Sequence, residues 1–454
     1  MTPEEIVAGA RTVGNLADYF REFKRTVGEM VREGRASRRG YFTPGEDEVV
    51  RRLQISYWHA RNALFEVVTS FRDDTRLPDE LRPDAFLVAF GAAVLLVDAA
   101  RFLRESFEPL PIVREKLDEP EPYFGIPKGT YATVQKSLTG ARHAWHLYHA
   151  NRYFEEHQAE LQARAAGTLL EPVWAVIDRL RNRLEVPAGQ YVKARLQVRA
   201  RRLGGWLCHG LLGRAVYGVQ KLVASMAADI STRPSHQPKL PDEVAAELCE
   251  LLEPGDVLIT RKEHVATNYF LPGYWKHAAL YLGDPAGLRR LGIWEHEHVR
   301  PRWSRLLDSE DGQSRRALEA LKDGVWIRPI ASPFSVDAVV AMRPRLAPAE
   351  LGEALTRGLF HEGKPYDFDF DFTRSDRLVC TEVVYRAFDG IGGIHFELTP
   401  RAGRLTLTAK DLIRMSLAAK HFHLLAVYSP AHHPRLQRGP AAESVLQKTQ
   451  PEGE

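Results

Sequence analysis

The chain of 454 residues is poor in cysteine, holding only Cys208, Cys249 and Cys380. Three is too few, and odd in number, for a disulfide framework, so a reducing compartment is expected. It also lacks a charge excess. A net charge of +3 gives no global argument for nucleic acid, and no nucleic-acid partner is expected. Long apolar runs are missing too. The longest, Ala85 to Val97 between Asp84 and Asp98, is too short to span a bilayer and reads as a buried helix. The start, Met1-Thr2-Pro3-Glu4-Glu5, has neither a basic n-region nor an apolar h-region. No signal peptide is read, and a cytoplasmic location is expected. There is no internal repeat of solenoid period and no His-Glu-x-x-His. Glu295-His296-Glu297-His298 would put two histidines on one strand face, but no third ligand stands at a convincing spacing. Metal is therefore not expected, nor any other cofactor.

What is present is an ordinary globular composition, 44% hydrophobic and 27% charged, in a chain long enough for more than one domain. The fold class read from the pattern is α+β. Residues 1–235 carry apolar residues at helical spacing, with capping-box starts at Thr2-Pro3-Glu4-Glu5 and Thr43-Pro44-Gly45-Glu46. Helices are expected to about 71 and near 81–107, 129–165, 170–184 and 188–230. A polar, proline-bearing linker, Ser231 to Lys239, sets the boundary. In the second domain, 240–430, the period changes to alternation. Strands are expected at 256–260, 277–282, 291–298, 325–329 and 421–428, and helices at 348–361 and 380–389. The tail 431–454 is rich in Pro, Gln and charge and is expected to be disordered.

The chemistry concentrates at Cys380, which opens an amphipathic helix, Cys380-Thr381-Glu382-Val383-Val384-Tyr385. A cysteine there feels the positive end of the helix dipole, which favours the thiolate. His277 heads a strand about a hundred residues upstream. Beside the thiol it would form a thiolate–imidazolium pair and then protonate the leaving group. The backbone N–H of Cys380 is a candidate oxyanion donor. Asp367-Phe368-Asp369-Phe370-Asp371 imitates a calcium loop, but Phe372 and Leu378 stand where glycine and glutamate are needed, so it reads as an extended segment with one apolar face. Lys193 to Cys208 is a basic run leading into an apolar stretch. It reads first as a solvated helix face, and alternatively as a membrane-surface contact through residues 193–210, which would make the protein peripheral to a membrane.

Four sequence words, in order, resemble the circularly permuted papain-like cysteine hydrolases. These are the YiiX/YaeF-type amidases, relatives of the NlpC-type peptidases and of lecithin:retinol acyltransferase. Glu253-Pro254-Gly255-Asp256-Val257-Leu258 is similar to the family's opening strand. His277-Ala278-Ala279-Leu280-Tyr281-Leu282-Gly283 is similar to its histidine strand, with Ala279 in place of the usual glycine. Ile293-Trp294-Glu295 is similar to its "V-I-E" strand. Gly363 to Asp367 with Val379-Cys380-Thr381-Glu382-Val383-Val384 is similar to its cysteine block, with Thr381 in place of serine. The resemblance covers about residues 252–430 and implies a permuted papain-like domain, a small antiparallel sheet packed on the nucleophile helix.

The resemblance implies an amidase acting through a Cys380 thioester with His277 as base. It makes Glu295 the residue that orients His277. Glu297, two residues on along the same expected strand, is the alternative orienter. It also places Tyr366 and Asp367 near the cleft mouth, where they would bind substrate. Asp367 could instead pin its own loop, as Asx turns do. The partner expected is an amide- or acyl-bearing small molecule, peptide or lipid. Two other readings stay open. One is a lipid-directed acyltransferase or hydrolase resembling lecithin:retinol acyltransferase. The other is a non-catalytic scaffold acting through the helical domain, whose role the sequence leaves unknown.

Overall fold

The structure, a computed structural model, describes residues 3–70, 78–121, 124, 126–138, 150–184, 238–263, 273–309, 313–401, 404–418 and 420–449. It falls into two compact units, Met1–Ser231 and Thr232–Glu454. The first is helical and the second carries an antiparallel sheet with helices, which makes the chain α+β.

The first unit is built around α3 (Arg82–Phe107), which packs with α1 (Pro3–Glu33), α2 (Pro44–Ser70), α4 (Thr130–Leu138), α5 (Gln158–Ala165) and α6 (Glu171–Leu180). The Thr43 N–H donates to the Glu46 carboxylate, closing the expected cap of α2. Residues 85–100 of α3 are buried throughout, as an apolar helix must be when others surround it. The segment Asp79–Phe107 is long and apolar enough to cross a membrane, yet 89% of its apolar window is buried within the protein. Asp98 interrupts this run and is answered by Lys24 and, at 2.6 Å, by Arg183. Of the single helix expected over 129–165, residues 130–138, 150–156 and 158–165 are helical, with a turn at His157, and 139–149 lie outside the described residues. The helix expected at 188–230, with its basic run, lies outside the described residues.

In the second unit the sheet runs β4-β3-β2-β1-β5-β8-β9. Its strands are β1 (Val257–Arg261), β2 (His277–Gly283), β3 (Arg316–Leu321), β4 (Gly324–Pro329), β5 (Ala338–Pro344), β8 (Phe422–Ser429) and β9 (His433–Gln437), and every neighbouring pair is antiparallel. A separate ribbon pairs β6 (Thr399–Arg401) with β7 (Arg404–Thr406). Alternation gives the sheet two cores. Val257, Ile259, Ala278, Leu280, Val340 and Met342 face one, together with α8 (Pro348–Phe360), α9 (Cys380–Phe388), α10 (Ala409–Leu417) and α11 (Gly439–Lys448). Leu258, Ala279, Tyr281, Val339 and Ala341 face the other, under α7 (Asp242–Leu251). Both faces are covered, which is why these strands read as nearly continuous apolar runs.

Three expectations are corrected. Residues 291–298 form turns instead of a strand: Trp294 stacks on Trp303 at 5.4 Å, while Glu295 and Glu297 are exposed. Ile293 still buries in the core, but both sides of β2 are taken, by β1 and β3, which leaves the stretch no strand to pair with there. Residues 367–371 fold into a tight loop rather than an extended segment. The tail expected to be disordered forms β9 and α11, because Ala442, Val445 and Leu446 bury against the core and the Trp275 indole N–H donates to Thr449 at 2.9 Å.

Candidate active site

Cys380 is the first residue of α9, after an extended Val379 whose N–H donates to the Glu382 carboxylate at 3.4 Å. This helix is seated by Val383, Val384, Ala387 and Phe388, all fully buried. Each of the larger ones contributes on the order of 1.5–3 kcal/mol, so the nucleophile rests on a fixed support. The loop leading to it is tied twice. The Leu378 N–H donates to the Pro365 carbonyl at 3.1 Å and the Asp367 N–H to the Leu378 carbonyl at 3.2 Å. The β3–β4 hairpin also tucks under residues 363–365. Its Gly324 has φ +110°, and a Cβ there would lie 2.5 Å from the Lys364 carbonyl oxygen, so only glycine fits.

His277 begins β2 opposite Thr260 of β1, and this register brings its imidazole to Cys380. The ring is hydrogen-bonded to the Cys380 sulfur. Its Nε2 donates to the Glu319 carboxylate at 2.7 Å, so Nδ1 is the nitrogen left for the thiol. Burial works to raise the Cys380 pKa. The charge and hydrogen bond of His277, with the backbone N–H groups of Ala278 and Thr381, outweigh it and hold the thiol below its ordinary value. Burial likewise opposes the imidazolium, but Cys380 and Glu319 together raise His277 to about 9. Cys249, by contrast, is pushed up by burial. Cys208 lies outside the described residues.

Glu319 is the residue the sequence reading missed. It sits on β3, only 2% exposed, held by His277, the Ser332 hydroxyl and, at 3.6 Å, Arg328. Burial would raise its pKa, yet these partners, His277 first, lower it to about 2. Glu295 and Glu297, expected to orient the imidazole, lie in the exposed turns after Gly292 and do not meet His277. One signal pointed to β3. The Asp-Gly step at 323–324, before an expected strand at 325–329, marks a turn, and the hairpin it belongs to closes at Lys322-Asp323 with 316–321 as the partner strand.

Tyr366 stands beside Cys380. Burial first, then the nearby Cys380 and Asp367 charges, hold its phenol far above the usual value, so it remains an O–H donor. Asp367 is fully buried and faces its own loop: Oδ1 accepts the Asp369 N–H at 3.0 Å and Oδ2 the Asp371 N–H at 2.6 Å. The structure thus gives this buried carboxylate the pinning role. The turn it closes places Phe370 at φ 54°, a conformation that a bulky side chain rarely adopts. His296 and His298 lie 5.1 Å apart, ring to ring, and neither is among the groups that act on Cys380.

Residues 251–437 match the family described as permuted papain-like amidase enzyme, YaeF/YiiX, C92 family. The resemblance carried by the four sequence words is therefore shown for this segment, which lies within the second unit. At this coarse level the segment is that of a papain-like cysteine hydrolase. No curated protein and no solved structure matches the chain.

Proposed function

We propose that the protein is a cysteine amidase in which Cys380 is the nucleophile, His277 the base and acid, and Glu319 the residue that orients the imidazole. The observation that carries this reading is the continuous line from the Cys380 sulfur through His277 to Glu319 at 2.7 Å. The thiolate attacks the amide carbonyl carbon and forms a C–S bond. The oxyanion is met by the Cys380 N–H, which lies in a first helical turn where no intrahelical acceptor exists, and by the Tyr366 hydroxyl. The His277 imidazolium passes its proton to the leaving nitrogen as the C–N bond breaks. Water, deprotonated by His277, then opens the thioester, and the thiolate departs. A carboxylate as the third group keeps the unit nearer the amidases than lecithin:retinol acyltransferase, whose third group is a histidine.

The test is the alkylation rate of each cysteine against pH in the full chain. Fast reaction of Cys380 below pH 7, lost in His277→Ala, is expected, with Cys249 reacting only near and above its ordinary thiol range. Equal slow rates at both cysteines would leave the non-catalytic reading in possession.

A further inference from the structure

The second unit holds a cavity of about 360 Å³ at the end of α9 away from Cys380, between α8 and the turn carrying His298. Along the helix axis Arg386 is six residues from Cys380, or about 9 Å, so this cavity is not the acyl site. Its lining is cationic. Arg357 donates one N–H to the Asp389 carbonyl at 2.9 Å, and no carboxylate partner is found for it among the described residues. Arg386 is balanced by the fully buried Glu382 at 2.6 Å, and it also caps the carbonyls of Phe372 and Arg374. His361 is only 7% exposed, and its Nδ1 accepts from the Lys364 ammonium at 2.8 Å, which leaves Nε2–H as a donor. One carboxylate lines the space, that of Asp389, and its Oδ1 is engaged by the Phe396 N–H at 3.0 Å. Behind the wall, Glu362 is outnumbered by Arg302 and Arg305.

At the mouth lies Phe360, half exposed, with the Lys364 ammonium 4.8 Å from its ring centre and His298 5.0 Å away. A cavity of this size suits a small molecule better than a bare ion. Two guanidinium and two imidazole groups line the space, with Glu382 taken up by Arg386 and the Asp389 carboxylate engaged by a backbone N–H, which suits a tetrahedral oxyanion. The exposed ring gives a flat apolar group somewhere to lie. We propose that this cavity binds a small organic phosphate, its phosphate held by Arg357, Arg386 and the two histidines and its planar part resting on Phe360.

Calorimetric titration of the full chain with phenyl phosphate, inorganic phosphate and phenol tests this. Saturable one-to-one binding of phenyl phosphate is expected, tighter than that of inorganic phosphate, with none for phenol. Loss of one charge-assisted contact in Arg357→Gln or His298→Gln should weaken it about 10-fold or more. Cys380→Ser should leave it unchanged. Because Arg357 also caps the end of α9, its variant is accompanied by a melting curve, and His298→Gln, in a turn, decides if that variant unfolds. Absence of saturable heat, full-strength binding in a folded Arg357→Gln or in His298→Gln, or loss of binding in Cys380→Ser would overturn the site. Equal affinity for inorganic and phenyl phosphate would overturn the part given to Phe360.

Discussion

Glu319→Gln is the most direct probe of the site. The amide keeps an oxygen that can accept from the His277 Nε2–H, but it removes a buried negative charge 2.7 Å from the imidazole. A hydrogen bond to a charged group is worth about 1.5–3 kcal/mol, and about 1.4 kcal/mol is one pKa unit, so His277 should lose about 1–2 units. Its apparent titration, now raised to about 9, should move to about 7–8. Histidine-selective NMR titration of the full chain reads this directly. The stability consequence has a definite sign. The raised His277 contributes stability that is full below its ordinary 6.5 and is lost as pH rises through about 9. The lowered Glu319 contributes stability that is full above 4.5 and is lost as pH falls through about 2. The melting difference between wild type and variant should therefore be largest between 4.5 and 6.5 and shrink above 9. An unmoved His277 titration in Glu319→Gln, or the same displacement produced by Glu295→Gln, would refute the assignment of Glu319 as the partner.

Ser332→Ala removes one of the donors holding the Glu319 carboxylate, so Glu319 should titrate higher, with roughly 1 kcal/mol of stability lost in urea denaturation. Asp367→Asn leaves only one acceptor for the Asp369 and Asp371 N–H groups, so hydrolysis and stability should both fall. Burial raises the Asp367 carboxyl to about 7, so its contribution is full below its ordinary 3.8 and fades as pH rises through about 7. The variant's deficit in urea midpoint should accordingly be larger at pH 4 than at pH 8. Truncation before Gly439 exposes the sites filled by Val445 and Leu446, worth about 3–6 kcal/mol together, and frees the Trp275 indole. Chemical denaturation should show that loss, whereas a dispensable tail would cost nothing.

Much of the site was legible because its signals are local. A cysteine at the head of an amphipathic helix and a histidine at the head of an apolar strand are visible within a dozen residues each, and the structure brings them together. The third group was not legible in the same way. Arg316-Ala317-Leu318-Glu319-Ala320-Leu321 is made of good helix formers, and burial on both faces of the sheet overrides that propensity. Conversely, Ile293-Trp294-Glu295-His296-Glu297 alternates like a strand but has no neighbour to pair with. Its two tryptophan and arginine contacts, Trp303 at 5.4 Å and Arg289 at 4.3 Å, hold it as a turn. Asp367 shows the same limit, since whether a carboxylate looks into a cleft or back at its own backbone depends on chain geometry that spacing does not encode.

The hold of Thr449 on Trp275, two residues before His277, has a consequence for how the protein comes into being. On the ribosome the helical unit is made first, while the thiol emerges with its partner strand not yet braced. Thr449 follows Cys380 by 69 positions, roughly 3–14 s of synthesis at ordinary elongation rates. Through that interval the strand that bears His277 is without the hydrogen bond and the apolar packing that α11 and Thr449 bring to it.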